Sequence, residues 1–424
     1  PAAVPAAPPA AQSGVARASA AVAQVPQLPE AAPAVAPRTP SELRIRLPQV
    51  LCWQAATLLV LLAMGRGPVE TAVAATVAGA VLLATVVPWR GHWLYWWLWL
   101  RLGYLARRRH FAPGDDTADP RRFLIGVLEP AVVLGAVTVN DETGATIAHP
   151  AGLTAVLEVR AGDHTLFAPV PRPLPMPWSV LPVAESGSPP TVVQLIVQIG
   201  SPPVVLGDAG CTVESYRTLT GGAVPARRRS WIAVQVRRTP EAFHDTQLRP
   251  ALVGAVKRVR RRLRQKNLPA RLLTEDNLLT ASAIAACFDE RRPGQAGVYG
   301  RGHGHGEAHE TWRGWTTGQL PQTSYRISRW PDGGFPLDQL LRQVPATAVT
   351  LGMAALRDPA QSAREDDVEL EMVIRLAATN EAALKVAGTR LAALLHAVGG
   401  AAERLDGRHR AALLATVPFG GFLG

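Results

Sequence analysis

The chain has 424 residues, 44 Lys and Arg against 33 Asp and Glu for a net charge of +11, and three cysteines. Cys52, Cys211 and Cys287 lie far apart and form no CxxC pair. This excludes a disulfide-stapled scaffold and fits a reducing compartment. The basic excess is mostly arginine, in runs such as Arg107–Arg109, Arg227–Arg229 and Arg258–Arg264. An anionic membrane leaflet accounts for such a bias more simply than nucleic acid does, and a GC-rich genome alone shifts basic residues toward Arg.

Residues 1–40 are mainly Ala, Pro, Val and Gln without apolar periodicity. Such a tail buries too little surface to offset its ordering entropy and is expected to be disordered. It lacks the charged start and apolar core of a signal peptide. Residues 41–110 read as a transmembrane hairpin with an interfacial exit. Two apolar runs, Leu47–Met64 and Val69–Val87, flank Gly65-Arg66-Gly67-Pro68. At about 1.5 Å per residue each spans roughly 27–28 Å, near the ~30 Å hydrocarbon core of a bilayer. Arg44 and Arg46 precede the first run, and Arg90, Arg101 and Arg107, Arg108 and Arg109 follow the second. By the positive-inside rule both ends are expected in the cytoplasm, making a multi-pass protein of the inner (plasma) membrane. Ala74/Ala78 and Ala75/Gly79 give small residues at four-residue spacing, a face on which another helix packs closely. Trp89, Trp93, Trp96, Trp97 and Trp99, with Arg107–Arg109, are expected to sit at the membrane interface.

Residues 111–424 read as one cytosolic α/β domain. Runs Phe123–Leu128, Ala131–Val139 and Leu153–Arg160 predict strands of a meander, with a turn at Asn140–Gly144. The proline-rich stretch 168–190 predicts a surface connection. Thr191–Ile199 and Trp231–Arg237 predict buried strands, and Thr239-Pro240-Glu241 predicts the start of a helix running to Lys266. Further on come a strand at Ala270–Leu273, a helix capped by Thr274 and running to Phe288, and strands at Gln322–Trp330, Ala346–Ala355 and Val368–Ala377. Helices are predicted from Asn380 to Val398 and over Arg408–Ala415. This alternation predicts a mixed sheet covered by helices. No period of twenty to fifty residues repeats.

Motifs for catalysis fail one after another. There is no GxxxxGK[ST], no GxSxG and no cysteine in a nucleophile signature. Gly300–Gly306 alternates Gly with Arg301, His303 and His305, but no strand leads into it and no helix follows. His303, His305 and His309 suit Zn²⁺ or Ni²⁺ as donors, yet a glycine-rich loop gives them no rigid geometry, and an exposed loop is the favoured reading. The Glu365-Asp366-Asp367 turn could hold a divalent metal as nucleotide-sugar enzymes do, although solvated carboxylates are commoner. No catalytic, cofactor-binding or metal residue is therefore assigned, and no cofactor is expected. In the basic helix, Leu252, Val256, Val259 and Leu263 form one apolar stripe. Arg258, Arg260, Arg261, Arg262 and Arg264 surround it, either solvated or facing an acidic partner or lipid headgroups. Nucleic acid is not expected, since no aromatic platform accompanies the charge.

The early apolar pair, the exit from Pro88-Trp89-Arg90-Gly91 to Arg107–Arg109, and the late segment from Thr311-Trp312-Arg313-Gly314-Trp315 to Trp330-Pro331 together resemble the EccE family of type VII (ESX) secretion components. The resemblance covers about residues 41–424. It implies a non-catalytic subunit in a hetero-oligomeric inner-membrane complex with partners resembling EccB, EccC, which supplies ATP hydrolysis, and EccD. The competing expectation is a membrane-tethered α/β enzyme acting on nucleotide-sugars.

Overall fold

The computed structural model describes residues 35–37, 47–89, 92–113, 119–159, 174–183, 187–200, 227–288, 307–318, 320–330, 337–357 and 368–423. In chain order these form β1 (Val35–Pro37), α1 (Leu47–Ala63), α2 (Pro68–Val86), β2 (Pro88–Trp89), β3 (His92–Trp93), α3 (Leu94–Ala106), β4 (His110–Phe111) and α4 (Pro120–Leu128). The meander β5 (Val133–Val139), β6 (Glu142–His149) and β7 (Gly152–Val159) leads to α5 (Pro177–Val180), β8 (Thr191–Gly200) and β9 (Arg227–Arg237). Then come α6 (Asp245–Gln265), β10 (Ala270–Leu272), α7 (Glu275–Ala285), β11 (Ala308–Glu310), β12 (Trp315–Thr317) and β13 (Leu320–Arg329). The last elements are α8 (Leu337–Arg342), β14 (Ala348–Arg357), β15 (Val368–Ala377), α9 (Glu381–Ala397), β16 (Ala401–Arg404) and α10 (His409–Leu414).

All strands except the β2–β3 ribbon join one sheet in the order β4-β11-β12-β13-β15-β14-β8-β9-β7-β6-β5. Every pairing described is antiparallel except that of β1 with β15. The order contains a repeat. In the first half β7 and β8 both pair with β9, α6 follows, β10 returns to pair with β7, and α7 closes the unit. In the second half β13 and β14 pair with β15, α9 follows, β16 returns to β13, and α10 closes it. The halves meet where β8 runs antiparallel to β14, from Thr191↔Arg357 to Gly200↔Ala348.

Helices cover both faces, because the central strands are apolar on one side and mixed on the other. Val193, Leu195, Val197 and Ile199 of β8 face α6 and α9, with Leu252, Val256, Val259, Leu391 and Leu395 in the same core. The opposite face carries Gln194, Gln198, Gln322 and Arg375, all buried, beneath α4, α7 and α10. These polar groups receive the carbonyls that a helix end leaves without intrahelical donors. The side-chain amide of Gln198 donates to Ile284 O at 2.6 Å, that of Gln322 to Ala286 O at 3.0 Å, and that of Gln194 to Ala415 O at 2.8 Å. Arg375 donates to Ala285 O and Gln322 Oε1. Thr154 Oγ1 then fixes Phe419 O at 2.7 Å, and Gly420 N donates to Gln194 Oε1 at 2.9 Å, drawing the segment after α10 across the sheet.

Most predicted strands lie where the pattern puts them, and three expectations change. Phe123–Leu128 is not a strand but the body of α4. Asp119 caps it by accepting from Arg121 N at 2.9 Å, with Pro120 in the first turn. The basic helix starts at Asp245 rather than beside Thr239, which instead closes a turn with Ala242. Its opening is fixed by His244 and Gln247, whose Oε1 accepts from His244 N at 3.1 Å. Part of the proline-rich connection is inside: Pro177, Val180, Leu181 and Pro182 are buried. The acidic turn Glu365–Asp367, Arg44, Arg46, Arg90, Cys211, His303, His305 and the tail up to Ala34 lie outside the described residues.

Candidate functional site at the junction of the apolar helices and the sheet

α1 and α2 pack as an antiparallel pair along a seam of small residues. Gln49, Ala56 and Ala63 are buried on α1, and Ala74, Ala78 and Thr85 on α2. These positions recur at seven- and four-residue spacing, one stripe of each helix. Both ends are tied by hydrogen bonds. Thr71 Oγ1 donates to Ala63 O at 2.9 Å, Gln49 Nε2 to Thr85 O at 3.0 Å, and Trp53 Nε1 to Thr85 Oγ1 at 2.8 Å. The remaining surface is apolar and exposed. Among the described residues, every exposed large apolar side chain except Val133, Val183, Phe243 and Val386 lies between Leu51 and Leu105. Pro68–Val86 is the one helix among the described residues long and apolar enough to cross a bilayer; α1, at 17 residues, is shorter than that.

The chain leaves α2 through the β2–β3 ribbon and enters α3, which reaches the sheet domain at its C-terminal end. Tyr104 is buried there. Its ring meets Trp312 edge-on at 5.2 Å between centroids, and Arg101 lies 4.5 Å over the Trp312 ring. Gly407 adopts φ +71, and a Cβ at that position would collide with the Trp312 ring, so the close approach requires glycine. Arg107 Nη2 reaches Glu310 Oε1 at 2.8 Å and also donates to Gly407 O. The Glu310 side chain is fully buried, and its Oε1 also accepts from Arg410 N at 3.0 Å, at the start of α10. Burial raises the Glu310 pKa against the opposing pull of Arg107 and Arg410. β4 completes the junction by pairing with β11, while Phe111 faces the buried Trp315 at 6.1 Å. Three pieces of chain distant in sequence thus converge on one ion pair and two aromatic contacts. This arrangement fixes the C-terminal end of α3 against the sheet domain.

The positions singled out from sequence fall in different places. Ala74 and Ala78 are consumed by the α1–α2 seam, whereas Ala75 and Gly79 point outward, with nothing near a Cβ at Gly79. Trp93, Trp96 and Trp97 are half-buried, Trp96 meeting Trp97 edge-on at 5.1 Å, and Trp99 is exposed. Trp89 has its backbone in β2, and its side chain lies outside the described residues. Arg107 belongs to the junction. Arg108 donates to His110 O, and Arg109 lies 5.1 Å over the Tyr104 ring.

On α6 the arginines divide. Arg260 pairs with Glu142 at 2.8 Å and Arg262 donates to Leu181 O, while Arg261 and Arg264 are exposed and Arg258 is half-buried. Burial, then Arg357 and Arg258, lower the Arg262 pKa. His309 stacks on His110 with centroids 3.9 Å apart and planes 16° from parallel, an arrangement that does not aim both rings at one ion. Burial, then His110 and Arg109, lower its pKa. No group of three or more His, Cys, Asp or Glu able to hold a metal occurs among the described residues. Sequence reasoning missed Glu310 and Tyr104. Trp312 and Trp315 it found only as a motif.

Fold and junction together define a helix-covered, duplicated antiparallel α/β domain fastened to a pair of apolar helices. Residues 224–327, from the approach to β9 into β13, match the EccE family model, described as "Putative type VII ESX secretion system translocon, EccE". This is the family that the sequence resembles. No curated protein matches the chain.

Proposed function

We propose that the chain is a non-catalytic membrane subunit of a type VII protein secretion complex. In this reading α1 and α2 form a transmembrane hairpin, α3 lies in the inner interface of the plasma membrane, and the N-terminus and the sheet domain are cytoplasmic. Partners are subunits resembling EccB, the ATPase EccC and EccD. The observation that carries the reading is the concentration of exposed apolar side chains on α1–α3, beside a domain whose matched stretch belongs to a secretion family model. Water penalises that surface, whereas lipid or neighbouring helices do not. Ala72, Ala75, Thr76 and Gly79 are small, exposed residues on the outer side of α2, a surface suited to close approach by a partner helix. Trp99, Arg101 and Arg108 hold the exit at headgroup depth. The test is mild-detergent purification followed by mass spectrometry. Recovery with a many-helix membrane protein and a multi-ATPase-domain protein is expected. Recovery of a lone monomer overturns the reading.

A further inference from the structure

The two halves of the sheet end differently. In the second half the outer strand, β11, is covered: β4 pairs with it at Phe111↔Ala308 and His110↔His309, and Glu310 N donates to Arg109 O at 2.9 Å. In the first half the corresponding outer strand, β5, pairs with β6 on one side and with no strand among the described residues on the other. Its sequence, Val-Leu-Gly-Ala-Val-Thr-Val, carries no charge and no proline, the devices that ordinarily protect an edge from pairing. Val133, Gly135, Ala136 and Thr138 are exposed.

The turn into β6 sets which backbone groups are available. Asn140 and Asp141 adopt φ 50 and 64, the positive pair of a two-residue hairpin turn, so Val139 and Glu142 form a hydrogen-bonded pair. By alternation, Leu134, Ala136 and Thr138 direct their N–H and C=O groups away from β6. Charge borders this edge on the α6 side. Arg260 is bound to Glu142 at the β5–β6 turn, which orients that stripe of α6 toward β5. Lys257 and Arg264, three residues before and four after Arg260, lie on the same stripe. Both are exposed.

We propose that β5 is a docking edge that accepts an added strand from another protein, an extended segment in which acidic residues alternate with apolar ones. Backbone hydrogen bonds to Leu134, Ala136 and Thr138 supply the pairing, and Lys257 and Arg264 select for carboxylates on the face toward α6. This inference rests on the reading of the chain as a complex subunit. Its test needs only the purified chain, so it fails or succeeds separately from recovery of a membrane complex.

The experiment titrates the full chain in detergent with fluorescent peptides alternating valine with glutamate or valine with lysine. The glutamate peptide is expected to bind at least about tenfold more tightly. Ala136→Pro removes an outward N–H without touching the β6 ladder, so it should weaken that binding about tenfold at an unchanged melting temperature. Should the proline disturb folding, Ala136→Lys tests the same edge. Lys257→Glu with Arg264→Glu should reverse the preference. Equal binding of the two peptides, no binding of either, or indifference to every edge substitution overturns the proposal. So does a dimer of this chain in light scattering that Ala136→Pro dissociates, since the occupant would then be a second copy.

Discussion

At the scale of single residues, the junction depends on a carboxylate removed from water. Glu310 is tolerable in its site only because Arg107 and Arg410 N surround one of its oxygens. Removing one partner of a buried pair costs more than replacing both, because the survivor stays desolvated. Arg107→Ala should therefore destabilise the chain by about 3 kcal/mol, and adding Glu310→Leu should restore a large part of that loss. Denaturant unfolding of the two variants and of the double variant measures the coupling. Additive losses would show that the pair does not act as a unit. None of this was legible from sequence. Glu310 stands in a His- and Glu-rich stretch that reads as solvated, and its partner is supplied from the far end of α3. Trp312 and Trp315 were conspicuous, but Tyr104 and Phe111, which give them their roles, are remote in the chain.

At the scale of elements, local chemistry decided what could be read. α9 was legible because Asn380 caps it, accepting from Ala383 N at 2.8 Å. α4 was misread because Phe-Leu-Ile-Gly-Val-Leu is a continuous apolar run, which periodicity alone does not assign to strand or helix. Asp119-Pro120 was the deciding signal. The small-residue stripes of α2 were visible, whereas their division between α1 and the outside was not, since it depends on how the two helices are rotated about their seam. That division makes a prediction. Ala78 is buried in the seam, so Ala78→Leu should push the two helices apart and lower the yield of folded protein. Gly79 meets open space, so Gly79→Leu should leave the yield and melting temperature unchanged while reducing partner recovery in mild detergent several-fold. Full recovery with Gly79→Leu would remove the outer face of α2 from the partner surface.

At the scale of the whole molecule, the duplication was invisible because it lies in pairing order, and corresponding strands share no motif. Two histidines, His149 half-buried and His409 fully buried, lie in different parts of the sheet domain. His149, at the end of β6, has its pKa lowered to about 4, by burial first and then by Arg238. His409, at the start of α10, is lowered to about 4 by burial, then by neighbouring arginines, against the pull of Asp406. Gln235 Nε2 lies 2.7 Å from His149 Nε2, which accepts the amide proton only when the ring is neutral. Both groups titrate below their ordinary value of 6.5, so between pH 6.5 and 4 the unfolded chain binds more protons than the folded one. Their contribution is fully present above pH 6.5 and is lost as pH falls toward 4. At pH 5 the loss amounts to about 2 kcal/mol for each histidine, together enough to lower the melting temperature by roughly 6 °C relative to pH 7.5. The raised pKa of Glu310 acts in the opposite direction and trims this loss. Thermal unfolding of the detergent-solubilised chain across this range measures the sum, and His149→Gln should remove about half of the acid sensitivity. A profile that stays flat from pH 7.5 to 5 would mean that both rings reach water or an anionic partner in solution.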